Sequence, residues 1–123
     1  AGLRAWLLDT TCKEPIVYIS FGTLVPLSAK MVERLVAGLE DGPWRVLWAM
    51  TAEQQQLLPT RLRGSAAKWR TETDESIQSS DVLRFAGVRA MVSDCGQLST
   101  QEALSWGVPL VCMPMYCEQF LWA

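Results

Sequence analysis

Three short stretches carry residue types suited to a charged, hydroxyl-rich ligand. The first is Gly22-Thr23-Leu24, where a hydroxyl follows a glycine. The second runs Asp94-Cys95-Gly96-Gln97-Leu98-Ser99, with Glu102 one turn further on. A glycine-containing turn feeding a helix aims unpaired backbone N–H groups and the positive end of the helix dipole at one spot, which suits phosphate. Ser99 can add a hydroxyl there, and Glu102 can accept from a sugar hydroxyl. The same residues also spell a capping box, Ser99-Thr100-Gln101-Glu102, which would satisfy the helix end by itself. The third stretch is Glu118-Gln119, able to hydrogen-bond a polyhydroxylated ligand or to serve as an ordinary acidic first turn. Thr23 has a similar double reading, as a phosphate contact or a loop cap.

The elements around these stretches alternate. Ile16 to Phe21 is β-branched and aromatic, too short for a helix, and stops at Gly22, so it reads as a buried strand. Ser28 is a candidate N-cap for a helix in which Met31, Val32, Leu35, Val36 and Leu39 recur at helical spacing. That helix should end near Asp41-Gly42-Pro43. Arg45 to Met50 is a second strand, and Thr51-Ala52-Glu53-Gln54 a capping box opening a short helix that Pro59 closes. From Thr60 to Ser80 the chain is polar without a clear period, and Glu72-Thr73-Asp74-Glu75 reads as a solvated loop. Asp81 to Phe85 suggests a short helix, and Val88 to Ser93 a strand. Asp94 to Leu98 is a tight loop before a helix from Ser99 to Trp106 that stops at Gly107. Val108 to Met113 is a further strand, Pro114 to Cys117 a loop, and Glu118 to Trp122 the start of another helix.

Strand, helix, strand in succession predicts an α/β fold with a doubly wound parallel sheet. Ligands of such sheets bind beyond the carboxyl ends of the strands, where all three stretches fall.

Composition narrows the chemistry. The chain has 123 residues, half of them apolar, and a formal charge of −2. So weak a field argues against a nucleic-acid partner, and no apolar run is long enough to span a membrane. Histidine is absent, which removes any histidine base or metal ligand from this chain. Cys12, Cys95, Cys112 and Cys117 form no C-x-x-C pair and no zinc spacing. They read as reduced cysteines packed as small hydrophobes, which fits a cytoplasmic protein, although spacing alone leaves disulfides open.

Together the segments resemble the C-terminal half of the family-1 UDP-glycosyltransferases, enzymes of GT-B fold. Trp6-Leu7-Leu8-Asp9, followed by Val17-Tyr18-Ile19-Ser20-Phe21-Gly22-Thr23-Leu24, is similar to that family's W-L-D … V-Y-V-S-F-G-S-L entry into the domain. Arg45-Val46-Leu47-Trp48 resembles its second strand. The family's signature box maps without a gap from Ser76 to Gln119. It matches at Val82-Leu83, Val88, Cys95-Gly96, Ser99, Glu102-Ala103, Gly107-Val108-Pro109, Pro114 and Gln119, and Ala123 follows it.

The resemblance implies one nucleotide-sugar-binding domain over residues 1–123, stopping before the helices that finish the domain in the family. It also implies a UDP-sugar co-substrate and no metal cofactor. The small-molecule acceptor and the catalytic histidine base would belong to an N-terminal domain outside this chain, so no catalytic residue is assigned here. Carried over, Ser99 beside Gly96 would bind phosphate, Glu102 the ribose hydroxyls, and Glu118 with Gln119 the sugar hydroxyls. Thr23 would sit near the phosphates. Four positions depart from the pattern. Ser76 stands where the family's uracil-stacking Trp does, and Ser79 where a Gln does. Gln78 would compensate only if the loop shifted by one residue, and Trp69 would stack only if its loop folded back. Asp94 replaces the phosphate-binding His and Leu98 an Asn.

Two function classes therefore stand. One is the donor-binding half of a hexosyltransferase, inert by itself. The other is a non-catalytic relative kept as a scaffold or partner-binding module. An unrelated dinucleotide-binding domain is disfavoured because G-x-G-x-x-G does not occur.

Overall fold

The four segments read as strands from the sequence all join one parallel sheet. A computed structural model describes residues 2–9, 13–21, 27–62, 68–73 and 79–113. After a short helix α1 (Gly2–Leu7) come β1 (Ile16–Ser20), α2 (Ala29–Leu39), β2 (Arg45–Ala49) and α3 (Ala52–Gln55). A 3-10 turn (Thr60–Leu62) leads to β3 (Trp69–Glu72), then α4 (Ser79–Leu83), β4 (Val88–Ser93), α5 (Gln97–Ser105) and β5 (Leu110–Cys112). All pairings are parallel, in the order β3-β2-β1-β4-β5. This is the expected Rossmann-like, doubly wound α/β sheet.

Alternation along the strands builds two cores. Ile19, Phe21, Val46, Trp48 and Trp69 face one way and meet Val32 and Val36 of α2 with Leu58 and Leu62. Ile16, Tyr18, Leu47 and Met91 face the other way, against Leu7 of α1, Val82 and Leu83 of α4, and Ala103 of α5. With both faces covered, β1 and β2 bury nearly every side chain, which is why they read as unbroken apolar runs. Arg89 is an extra residue in β4: Ile16 pairs with Val88, and Val17 with Ala90.

Helix ends follow local chemistry. Ser28 Oγ accepts from the Met31 N–H at 3.2 Å and caps α2, as its sequence predicts. At the far end Trp44 Nε1 donates to the Leu39 carbonyl at 2.9 Å. A Cβ on Gly42 would lie 2.2 Å from that indole, so only glycine fits. Gly107, at φ +67°, ends α5 in the left-handed conformation. Its N–H bonds to the Leu104 carbonyl, and the Val108 N–H to that of Ala103, a Schellman motif.

Residues 60–80 correct the sequence reading. Trp69 and Thr71 are buried in β3, while Arg70 and Glu72 form a half-buried ion pair at 2.6 Å. Trp69 therefore packs in the core, 6.3 Å from Trp48 between ring centres, and is not placed to stack on a base. Glu72 belongs to a strand and not to a solvated loop.

Candidate donor-phosphate corner

The strand order reverses between β1 and β4, so the crevice at their carboxyl ends is the topological switch point. Ser20 and Ser93 are register partners there. The chain leaves β4 through Ser93, which is fully buried. Its hydroxyl donates to Asp94 Oδ1 and accepts from the Cys95 N–H, both at 3.2 Å. Cys95 then turns through φ +64°. Gly96 is the N-cap of α5, with no side-chain capping bond.

The start of α5 overturns the capping-box expectation. The helix begins at Gln97 with Gly96 as its N-cap, three residues earlier than a cap at Ser99 would place it, so Ser99 lies inside its first turn. Leu98 likewise belongs to the helix and not to a loop, and it is 75% exposed. Glu102 uses its backbone carbonyl to accept from the Ser105 hydroxyl and the Trp106 N–H. Its side chain closes no box. The first intrahelical bond at this end runs from Thr100 N–H to the Gly96 carbonyl, which leaves the N–H groups of residues 97–99 without intrahelical partners. A Cβ built on Gly96 would meet only Asp94 Oδ1, at 3.9 Å, among the described residues. Apart from its chain neighbours, no other described side chain comes within 4 Å of that point.

Asp94 is 8% exposed, turned toward Ser93 at the positive end of α5. A carboxylate there is favoured by the dipole and repels a second anion. The structure thus brings Asp94, Gly96, Leu98, Ser99 and Glu102 to one edge of the sheet. Thr23, Ser76, Gln78, Glu118 and Gln119 lie outside the described residues, as does the helix expected from Glu118. Among the described residues no group of three or more Cys, Asp or Glu gathers as a metal site.

The expectation of reduced cysteines fails for one pair, while Cys12 and Cys117 lie outside the described residues. Cys95 and Cys112 are joined by a disulfide, with Cα atoms 5.5 Å apart, and are not two reduced thiols. The pattern did hold a signal for it: once β4 and β5 are neighbours, both cysteines fall at the same carboxyl edge. Ser93, the hydroxyl that organises the turn, was also missed, because a serine ending an apolar strand carries no distinguishing mark.

A cavity of about 590 Å³ lies at the opposite, amino edge, lined by Leu7, Pro15, Arg45, Phe85, Gly87 and Arg89 among others. Strand starts, not strand ends, surround it, so it is not the ligand crevice of this fold. Arg45 is buried there, its guanidinium 4.7 Å above the Trp6 ring and 2.6 Å from the Trp6 carbonyl.

A family model for UDP-glucoronosyl and UDP-glucosyl transferase matches residues 5–122. The chain belongs to that family. UDP-glycosyltransferase 84A1 of Arabidopsis thaliana is 34% identical over 118 residues, covering 91% of this chain and 24% of that protein. Mogroside I-E synthase of Siraitia grosvenorii is 34% identical over 123 residues, covering 94% of this chain and 25% of its own length. The crystal structure of a UDP-glucose: anthocyanidin 3-O-glucosyltransferase in complex with UDP matches with a TM-score of 0.85 at 26% identity. It covers 99% of this chain and 27% of that one. The chain spans about a quarter of the length of these relatives. No described helix is long and apolar enough to cross a membrane.

Proposed function

We propose that this chain, residues 1–123, forms the donor-binding part of a UDP-sugar-dependent hexosyltransferase, holding the nucleotide diphosphate at the uncapped start of α5. The observation that carries the reading is that α5 begins at Gly96 with no side-chain cap, at the switch point of the sheet, in a chain of this family. The N–H groups of residues 97–99, together with Ser99 Oγ, supply donors for the diphosphate oxygens. Glu102, one turn on, accepts from the ribose hydroxyls. Thr23 near the phosphates, and Glu118 with Gln119 on the sugar, complete the proposed set.

In the reaction an acceptor hydroxyl displaces UDP at the anomeric carbon with inversion. The α5 corner stabilises the charge developing on the departing diphosphate, which is electrostatic preorganisation. Deprotonating the acceptor calls for a base, and a chain without histidine is proposed to depend on another domain for it and for the acceptor pocket. A cytoplasmic setting belongs to the same proposal.

Asp94 weakens this site. Two unit charges about 4 Å apart cost ~1 kcal/mol in water and ~4 kcal/mol at an effective dielectric near 20. Loss of a base-stacking aromatic at Ser76 costs a further ~1–3 kcal/mol, by analogy with single-strand binders. Titration calorimetry with UDP should therefore give a Kd of roughly millimolar order. Asp94→Asn keeps the acceptor for Ser93 Oγ but removes the charge, and should tighten binding about tenfold. The purified chain should show no sugar transfer. Absence of UDP binding in both proteins would leave the scaffold reading standing in place of this one.

A further inference from the structure

We infer that the Cys95–Cys112 bond is a reversible thiol–disulfide modification site that sets the donor affinity of the α5 corner. The inference rests on the donor-binding reading above and adds a control to it. Cys95 immediately precedes the N-cap of α5 and is fully buried, while Cys112 ends β5 and is half-buried. Cys112 pairs in register with Ser93, which itself holds the Cys95 N–H. The bond spans 17 residues of sequence and encloses all of α5. The helix is thus fastened twice, by the Schellman motif at its carboxyl end and by the disulfide at its amino end. Only the second fastening touches the proposed phosphate contacts.

With glutathione as the reductant, the step balances. A glutathione thiolate attacks Sγ of Cys112, the more accessible sulfur, and the Sγ–Sγ bond breaks. Cys95 departs as a thiolate beside the positive end of α5. A second glutathione thiolate then attacks the mixed disulfide, releasing Cys112 and oxidised glutathione. Two electrons and two protons pass from two glutathiones to the two cysteines, and oxidised glutathione reverses the exchange. Once the bond is cut, the turn at Cys95 loses its covalent tie to β5, while the Ser93 hydroxyl and the first helical bond to Gly96 remain. The corner must then be ordered at the moment of binding, which lowers affinity.

The test uses the whole chain with Cys12→Ser and Cys117→Ser, so that only this pair can react. UDP affinity is measured by calorimetry after equilibration with excess oxidised or excess reduced glutathione, and the thiols are trapped by alkylation for mass mapping. The oxidised protein should bind UDP about tenfold more tightly. Adding Cys112→Ser should give the weaker affinity under both conditions; if that variant does not fold, the two-condition comparison alone decides. Alkylation of both cysteines under oxidised glutathione overturns the inference. Equal affinity in the two states overturns the control and leaves donor binding intact. If UDP binds in neither state while mapping finds the bond, donor binding falls and the control falls with it.

Discussion

Two helices of this chain open with the same sequence signature and start in opposite ways. Thr51-Ala52-Glu53-Gln54 and Ser99-Thr100-Gln101-Glu102 each follow a strand at the carboxyl edge of the sheet. In α3 the box is real: Thr51 Oγ1 accepts from the Gln54 N–H at 3.2 Å, and Gln54 Oε1 accepts from the Thr51 N–H at 3.1 Å. In α5 the Gly96 N-cap starts the helix three residues before the serine, and the box never forms. One helix spends its polar side chains on its own backbone; the other leaves both for something else. A short motif fixes which groups are available, and the position of the first helical residue decides what they bind.

Exchanging what the two ends do should separate stability from binding. The largest effect is expected from Ser99→Ala. Losing a hydroxyl bonded to a charged phosphate removes ~1.5–3 kcal/mol, so UDP affinity should fall about 10- to 100-fold in calorimetry. Stability should stay within ~0.5 kcal/mol of the parent in urea titration, because Ser99 caps nothing. The converse variant, Thr51→Ala, should cost ~1 kcal/mol of stability in the same titration and leave UDP affinity unchanged. A large loss of stability in the serine variant would mean that α5 is self-capped after all. The smallest effect belongs to Gly96→Ser, which offers α5 the cap it lacks. A gain of a few tenths of a kcal/mol in stability, with UDP affinity weakened by about twofold, is expected.

The central elements were legible because burial on both sheet faces leaves an unmistakable apolar run at β1, β2 and β4. Strand β3 was not legible. It lies at an edge of the described sheet, and only Trp69 and Thr71 turn inward, while Arg70 and Glu72 pair on the other side. Four residues with two charges cannot be told from a loop by periodicity. At the candidate corner, Gly96, Ser99 and Glu102 were proposed from spacing, and Asp94 and Leu98 as departures from the family's signature box. Their geometry was misjudged because a capping pattern says nothing about a glycine three residues upstream. The cysteine bond escaped for a different reason: it depends on strand adjacency, a tertiary fact with no local trace.

The order of the strands also bears on when the corner first exists. Strands β1, β2 and β3 succeed one another in the chain, as do β4 and β5, and the two groups meet only along the β1–β4 seam. Pairing across so long an intervening stretch is slow to form, since loop entropy is spent before contacts return it. During synthesis and refolding, then, the second group holds the α5 contacts, but the switch-point crevice around them forms only when β1 joins β4. Nucleotide capture becomes a late acquisition of the maturing polypeptide, and UDP added to a refolding mixture should report the closing of that last seam.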